Sequence, residues 1–346
     1  MTEKLKPLCD ICSPSGNEKD IREYVLNEIS DCCTASVDQM GNILAFKKGT
    51  KPALHKVMAD AHIDEVGFIV TDICENGMLR FETVGGIKSE SLLCKRAIIN
   101  NLPGVIGSKP IHLSAKSERS EMPGIEDLYI DIGADCKEDA EKYVSLGDIG
   151  TFLSEFKSFS GGTVKAKSLD DRVGVMTLIN ILKGECEYDF YATFTVGEEI
   201  GCKGAKTAAY TVDPEFAVVL EATTACDIHG TPTEKQVSVL GDGPVISFMD
   251  RANLYDRELY DLAFKIAERE NIKIQSKKAV AGGNNSGSIS LSKGGVRAIA
   301  VSLPCRYIHS SSSLGRTDDM ENMQQLVKGL IESLASGDFN ASGDLN

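Results

Sequence analysis

Two adjacent carboxylates, Glu198 and Glu199, stand between an apolar run and a glycine-rich turn in the segment Thr195-Val-Gly-Glu-Glu-Ile-Gly201. The apolar run predicts a strand that ends here, and adjacent side chains at a strand end point in different directions. One carboxylate can therefore bind a metal ion while its neighbour acts as a general base towards water. That division of roles is typical of hydrolases. A Glu-Glu pair alone equally suits a solvated turn, so the interpretation depends on the residues that lie beside it.

Four other positions supply side chains of the kind that bind metal ions. His62, Glu221 and His309 follow apolar runs that predict strands. Asp170 comes directly before a predicted helix. In open α/β sheets, binding sites collect at the carboxyl ends of the strands. Together with Glu199, these residues suit a pair of divalent ions that share one bridging carboxylate.

Each of these residues also has an ordinary structural interpretation. A single His62 is more often a buried polar residue with a satisfied hydrogen bond, Asp170 suits a helix N-cap, and His309 suits a loop. The combination favours a metal site, because the chain has only 5 histidines and two of them fall at predicted strand ends.

The elements that would position these residues alternate between helix and strand. A helix with one buried stripe is expected over residues 18–29, with Asn17 as its cap. After residue 161, helix and strand follow each other in turn, which indicates an α/β fold: a mixed sheet covered by helices. The expected elements there are a helix after Asp171, a strand near Tyr191–Val196, a helix near Gly204–Tyr210, and strands at Phe216–Leu220 and Ala298–Leu303.

The segment from 67 to 160 has a different texture, in which short strand-like runs alternate with glycine-rich turns. We therefore expect a small β-rich domain at 67–160, inserted into a domain formed by residues 1–66 and 161–346. The strand-like runs are Gly67–Val70, Gly77–Phe81, Ala97–Ile99, Gly104–Ile106 and Leu128–Asp131.

Composition excludes several classes of protein. The 346 residues are 42% hydrophobic and 25% charged, which is ordinary for a globular protein of two domains. The formal net charge of -14 argues against nucleic acid and anionic membranes as partners.

The 11 cysteines are scattered, and the single CxxC pair of Cys9 and Cys12 has no second pair, so we expect free thiols in a reducing cytosol. The charged N-terminus resembles no signal peptide, and we expect a soluble, cytoplasmic protein.

In their order along the chain, five motifs resemble those of the M42 family of metallo-aminopeptidases, the tetrahedral or TET-type enzymes related to glutamyl aminopeptidase. The resemblance covers nearly the whole chain and is specific as an ordered set. The motifs are Ser13-Pro-Ser-Gly16, Ala61-His-Ile-Asp-Glu-Val-Gly67, Leu169-Asp-Asp-Arg172, Glu198-Glu-Ile-Gly201 and Arg306-Tyr-Ile-His-Ser310. The resemblance implies a zinc-peptidase-like fold, and the inserted segment matches the family's dimerisation domain in position.

The resemblance also implies how the ligands are divided between two divalent ions per subunit, which would be zinc, cobalt or manganese. His62 and Glu221 would bind one ion, and His309 and Glu199 the other. Asp170 would bridge the two.

Three further features follow from the resemblance. Glu198 would be the general base, taking a proton from the bridging water and passing it to the leaving amine. Asp64 would orient the imidazole of His62. The peptide bond between Asp170 and Asp171 would be cis.

Two residues depart from the family pattern. Glu221 stands where the family usually has aspartate, and glutamate is more typical of carboxypeptidase-type enzymes of the wider clan. Asn285, in Gly282-Gly-Asn-Asn-Ser-Gly287, stands where an acid is usual. An amide in place of the acid would remove negative charge near the site. The substrate's positively charged free amine would then bind more weakly.

Three functions remain open. The first is a two-metal aminopeptidase that removes N-terminal residues from short peptides. The second is a metal-binding homologue with altered or lost peptidase activity. The third is an endoglucanase-type glycosidase, which is disfavoured because the chain has no Trp to line a sugar site.

Assembly and specificity complete the expectations. The resemblance implies a homo-oligomer, either a dimer or a tetrahedral dodecamer whose active sites face an inner chamber. Lys203, Lys206 and Arg251 are candidates to bring positive charge to a specificity pocket, although lysines near a loop are commonly just exposed.

Overall fold

The computed structural model describes residues 1–113 and 122–339. The helices are α1 (Thr2–Asp10), α2 (Lys19–Ile29), α3 (Lys137–Ala140), α4 (Leu169–Lys183), α5 (Lys203–Val212), α6 (Arg257–Glu270), α7 (Asn285–Ser290) and α8 (Thr317–Ser336). The strands are β1 (Thr34–Val37), β2 (Ile43–Lys47), β3 (Val57–His62), β4 (Gly67–Ile73), β5 (Leu79–Val84), β6 (Arg96–Ile99), β7 (Leu102–Ser108), β8 (Leu128–Asp131), β9 (Ile149–Phe152), β10 (Lys157–Ser158), β11 (Thr163–Ala166), β12 (Phe190–Thr195), β13 (Phe216–Thr224), β14 (Val245–Ile246), β15 (Gln275–Ser276), β16 (Arg297–Cys305) and β17 (Ser313–Arg316).

The larger sheet of the described chain has eight strands in the order β1-β2-β12-β3-β13-β16-β14-β15. Strands β12, β3, β13 and β16 run parallel, whereas β2 is antiparallel to β12 and β14 is antiparallel to β16. The parallel strands are buried along most of their length, as expected when both faces of a sheet are covered. Their carboxyl ends therefore lie along one edge.

Helices cover both faces of this sheet, and the alternation of side chains along β3 shows how. Val57, Ala59 and Ala61 belong to the core formed with α1, α2, α4, α6 and α8. Met58, on the opposite face, packs with alanines of α5 and with Ile289 of α7. The predicted mixed sheet covered by helices is thus confirmed.

Strands β4 to β9 form a closed barrel in the order β4-β5-β8-β7-β6-β9. The barrel has a hydrophobic core of its own, in which Phe68 contacts Phe81 and Phe152 with ring centroids 5.5 and 5.1 Å away. All five strand-like runs predicted in this segment overlap strands β4 to β8. The barrel ends at Phe152, because Lys157–Ser158 pairs with β11 in a separate three-stranded sheet. The predicted bounds at 67 and 160 include residues 114–121, which lie outside the described chain.

A buried carboxylate connects the barrel to the rest of the chain. Glu65 lies between β3 and β4, and both of its carboxylate oxygens accept from Lys167 Nζ, at 2.5 and 2.6 Å. It also accepts from the backbone N–H of Ser13 at 2.9 Å and from the hydroxyl of Thr151 in β9 at 3.3 Å. Gly67 is required beside it, since a Cβ there would lie 2.4 Å from the carbonyl oxygen of Gly150.

Several element bounds differ from those predicted. Helix α2 has Glu18 rather than Asn17 at its N-cap, and that cap makes no side-chain hydrogen bond. Strand β13 continues to Thr224, three residues past Glu221, because it pairs with β16 along its full length. All 11 cysteines are free thiols. Among the described residues, the helices lack the combination of length and apolar character needed to cross a bilayer.

Candidate active site

The carboxyl edge of the parallel strands gathers the predicted ligand residues. His62 is the last residue of β3, and Glu221 stands opposite Ser302 in the β13–β16 pair. Glu199 lies in the turn after β12, and His309 lies in the loop after β16. Asp170 opens α4, where its backbone is not yet helical. Elements that are distant in sequence therefore meet because parallel pairing aligns their ends.

Two groups of three side chains form, and Asp170 belongs to both. In the first, His62 Nε2 lies 3.2 Å from Asp170 Oδ1 and 3.6 Å from Glu221 Oε2. In the second, His309 Nε2 lies 3.2 Å from Asp170 Oδ2 and 3.3 Å from Glu199 Oε2. In each group the donor atoms lie within 4.8 Å of one another, close enough to hold one ion.

The segment that carries Asp170 has an unusual backbone. The peptide bond between Asp170 and Asp171 is cis, as the resemblance implied. The side chain of Asp171 turns away from the two groups, and its Oδ1 accepts from the N–H of Gly174 at 3.0 Å. Asp170 therefore directs one oxygen to each histidine.

Asp64 contacts both His62 and the turn that carries the two glutamates. The ring of His62 is held mainly by the backbone carbonyl of Asp64, 3.1 Å from Nδ1, while the carboxylate is 3.5 Å away. The carboxylate instead accepts from the N–H groups of Glu198 and Glu199, both at 3.1 Å, and from the hydroxyl of Ser15 at 2.6 Å. Asp64 thus positions the turn that presents both glutamates.

The barrel contributes one contact to the site. His309 Nδ1 lies 3.1 Å from the carbonyl oxygen of Gly86, which follows strand β5. This leaves Nε2 of His309 facing Asp170 and Glu199. No pattern in the sequence pointed to Gly86, because a backbone carbonyl carries no residue-type signal.

Glu198 and Glu199 make different contacts. Glu199 faces His309, whereas Oε1 of Glu198 lies 3.5 Å from the thiol of Cys202. The pKa of Glu198 is raised well above its usual range by burial and by the neighbouring charge of Glu221. A third possible group joins Glu198 and Glu199 with His62, so the geometry alone leaves both glutamates available as ligands.

The electrostatics show an excess of buried negative charge. Burial raises the pKa of Glu221 to about 7, and burial also raises that of Glu199. Burial opposes protonation of His309, but its hydrogen bonds with Asp170 and Glu199 outweigh that effect and raise its pKa to about 11. A cation placed among these carboxylates would stabilise their charged forms.

The donor set fits a divalent metal ion. It consists of imidazole nitrogens and carboxylate oxygens, which zinc, cobalt and manganese all accept. Glu221 is 4% exposed, yet its Oε1 is buried without a hydrogen-bond partner in the described residues. A buried carboxylate oxygen without a partner is costly, and coordination to a cation would satisfy it.

Asn285 does not face the site. Its side chain is fully buried, and its amide donates to Asp60 at 2.8 Å and to the hydroxyl of Thr195 at 2.9 Å. Whether the amide at this position changes the handling of the substrate's amine stays a prediction. An amide fits here because an acid would bring a second buried carboxylate against Asp60.

A cavity of about 230 Å³ opens onto the site and includes one cation that sequence reasoning missed. Lys277 lines the cavity, although nothing in its sequence surroundings marks it. Lys203, Lys206 and Arg251, the predicted candidates, are exposed, and none of the three lines this cavity.

Comparisons with known proteins agree with the motif resemblance. The family model described as M42 glutamyl aminopeptidase matches residues 41–326. A putative aminopeptidase of Acetivibrio thermocellus is 36% identical over 96% of this chain and 98% of its own length. The lysyl aminopeptidase of Pyrococcus furiosus is 31% identical over 97% of this chain and 98% of its own.

Solved structures of aminopeptidases are also similar to this chain. An aminopeptidase from the archaeon Desulfurococcus kamchatkensis superposes with a TM-score of 0.94 at 31% identity, covering 99% of this chain and 98% of its own. The TET1 peptidase of Pyrococcus horikoshii, which can assemble into a tetrahedron or a large octahedral shell, has a TM-score of 0.83 at 34% identity, covering 95% and 98% of the two chains.

Proposed function

The chain belongs to the M42 glutamyl aminopeptidase family, a family of enzymes that hydrolyse peptides, and from this premise we propose that it removes single residues from the amino ends of short peptides with the help of two divalent metal ions. The observation that carries the proposal is the pair of three-residue groups that share Asp170. One shared carboxylate with a histidine on either side is the arrangement that a two-ion site requires.

The distances between each histidine and its neighbouring carboxylates suggest which residues would hold which ion. His62 and Glu221 would bind one ion, His309 and Glu199 the other, with Asp170 between them. When bound, such ions polarise the scissile carbonyl and lower the pKa of water.

Glu198 is the proposed general base. Its carboxylate lines the cavity beside Asp170 and Glu221, and its contact with Cys202 keeps it apart from His309. From that position it takes a proton from the attacking water and delivers it to the nitrogen of the leaving peptide. The backbone hydrogen bonds from Glu198 and Glu199 to Asp64 hold the turn still while this happens.

Substrate binding uses the free amino group of the peptide. The cavity has carboxylates at Asp170, Glu198 and Glu221, which attract a positively charged amine. An acetylated amino end carries no such charge, so blocked peptides should resist cleavage.

The test is hydrolysis of matched free and acetylated peptides by protein supplied with zinc, cobalt or manganese, with the products identified by mass spectrometry. We expect single residues from the amino end of the free peptides only. Release from the carboxyl end, or equal cleavage of acetylated peptides, would contradict the aminopeptidase assignment. Metal binding without any turnover would support the alternative of a homologue that has lost peptidase activity. The family match favours neither that alternative nor a glycosidase.

Self-association is part of the same proposal. The TET1 peptidase of Pyrococcus horikoshii assembles into closed shells, and this chain matches it over 95% of its length. We propose that this chain also forms a homo-oligomer, in which the barrel between β3 and β11 makes the contact.

A further inference from the structure

The carboxylate of Glu198 is held by a thiol. The Sγ atom of Cys202 lies 3.5 Å from Glu198 Oε1, within the range of a hydrogen bond donated by sulfur. Within residues 1–113 and 122–339, Cys202 is the one hydrogen-bond partner of this carboxylate, which forms no ion pair there. The orientation of the carboxylate therefore depends on a single weak donor.

The backbone fixes the place from which this thiol reaches Glu198. Cys202 is the N-cap of α5 and has a left-handed conformation, with φ 53° and ψ 38°. Its N–H and that of Gly201 both donate to the carbonyl oxygen of Glu198, each at 2.9 Å. The turn thus closes on Glu198 through the backbone as well as through the thiol, so the two side chains start from a fixed separation.

Glu198 has an alternative place within the same site. One of its carboxylate oxygens, one of Glu199 and a ring nitrogen of His62 lie within 4.8 Å of one another, close enough to hold one ion. An ion bound at His62 would attract Glu198 into this group. A carboxylate bound to a cation is a poorer base, because the cation stabilises its charged form. The contact with Cys202 opposes that movement.

We propose that Cys202 is a positioning residue that keeps Glu198 free to act as the general base, an inference that rests on the proposed peptidase function. A general base must lie within hydrogen-bond reach of the proton that it takes, and the thiol holds Glu198 out of the ligand group of His62 and Glu199. The family resemblance assigns no such role, because its motif Glu198-Glu-Ile-Gly201 ends one residue before Cys202.

The first test removes the thiol. Cys202→Ala keeps the Cβ atom and the same backbone preferences, and only the donor is lost. We expect kcat for an aminoacyl nitroanilide to fall by about 3- to 10-fold, the range for loss of one ordinary hydrogen bond. KM should change little, because Cys202 is not among the described residues that line the cavity. Cys202→Ser keeps a donor and should restore part of kcat.

Metal retention separates this role from simple damage to the turn. Damage that displaced Glu199 would speed the release of metal to a chelator. Without the thiol, Glu198 is free to join the ligand group instead, so Cys202→Ala should release metal no faster than the unaltered protein. Faster release, or an unchanged kcat, would overturn the role. Cys33→Ala is the matched control, because Cys33 is similarly half-buried and donates to the carbonyl oxygen of Ile29, at 3.4 Å, outside the site.

The infrared S–H stretch tests the contact without any turnover. The band that disappears in Cys202→Ala belongs to Cys202. Glu198→Gln supplies a weaker acceptor and should move this band to higher wavenumber, because a weaker hydrogen bond leaves the S–H bond stiffer. Should Cys202→Ala fail to fold, Cys202→Gly, which takes the left-handed conformation without strain, replaces it. If no peptide is hydrolysed but the band moves, the proposed function fails and Cys202 still positions Glu198. A band that stays in place would overturn the role even if peptides are hydrolysed.

Discussion

At the residue scale, the two adjacent glutamates carry the sharpest distinction in the site. Glu199 lies 3.3 Å from His309, and Glu198 instead contacts Cys202. Their contacts differ even though their side chains are chemically the same, and on this difference we propose that Glu198 is the base and Glu199 a ligand. A change of each carboxylate to an amide keeps the shape and removes the charge, which tests the assignment directly.

Glu198→Gln should keep bound metal and lose most turnover, by about 10²- to 10⁴-fold, the usual contribution of a general base. Glu199→Gln should lower metal occupancy itself, because an amide oxygen is a weaker ligand. Metal content by mass spectrometry and turnover of an aminoacyl nitroanilide distinguish the two. The reverse pattern, with Glu198 controlling occupancy, would exchange the roles.

Metal stoichiometry follows from the shared position of Asp170 between the two histidines. The reconstituted protein should hold close to two ions per chain. His62→Ala and His309→Ala should each lose about one ion, because each histidine belongs to only one of the two groups around Asp170. His229→Ala is the control, since His229 lies on the surface away from both groups. Unchanged stoichiometry in both site variants would contradict the two-ion site.

At the element scale, the connection between the barrel and the sheet depends on buried charge. Glu65 accepts two hydrogen bonds from Lys167, and Arg172 of α4 lies 3.6 Å from the same carboxylate. Lys167 and Arg172 flank Asp170 in sequence, so this contact fixes the segment that carries the shared carboxylate. The buried charges of Glu65, Lys167 and Arg172 thus support the geometry of the proposed metal site.

Glu65→Gln should destabilise the protein by about 3 kcal/mol or more, because it leaves two buried cations without their charged partner. Urea denaturation measures the loss. In a Glu65→Leu, Lys167→Met double variant part of that loss should be recovered, since replacing a buried ion pair by apolar side chains is often nearly neutral but Arg172 stays buried without its acidic neighbour. A double variant as unstable as Glu65→Gln would show that Arg172 and the hydrogen bonds to Ser13 and Thr151 matter more than the pair with Lys167.

Strand periodicity and turn residues predicted most of the elements correctly. The runs in β4 to β8 are apolar and lie near glycines, so they could be predicted as strands. Strand β9 (Ile149–Phe152) lacks a clear pattern of this kind and was not predicted. Glu221 was expected at a strand end, but its strand continues because β16 pairs with it through Cys305. Partner strands set strand length, and one sequence does not reveal its partners.

The residues of the site likewise fall into those that the sequence predicted and those that it did not. Residues with ligand chemistry were found because histidine and paired acids are rare signals, and the parallel sheet brought them together. Residues that act through the backbone or through burial were not found. Gly86 contributes a carbonyl, and Lys277 is distinguished only by what surrounds it. These roles depend on tertiary contacts that residue type does not encode.

At the scale of the whole molecule, the barrel has a surface that suits self-association. Its described residues include exposed apolar side chains at Val105, Tyr143 and Leu146, which are 50, 57 and 64% exposed. Exposed apolar side chains on a small domain can take part in contact surfaces. The barrel is also inserted at a single point, so it can make a contact without disturbing the sheet that holds the site.

The protein should therefore sediment and scatter light as a multiple of the 37.3 kDa chain at micromolar concentration. A Tyr143→Lys, Leu146→Lys double variant should shift the particle towards the monomer, because charge placed in an apolar contact is unfavourable to bury. Its metal content should stay near that of the unaltered protein, since both residues lie outside the two ligand groups. Leu291→Lys changes an 84% exposed leucine outside the barrel and is the matched control. A monomeric unaltered protein would contradict self-association altogether. An oligomer that resists the barrel variant but yields to Leu291→Lys would move the contact from the barrel to the face of the sheet domain that carries α7.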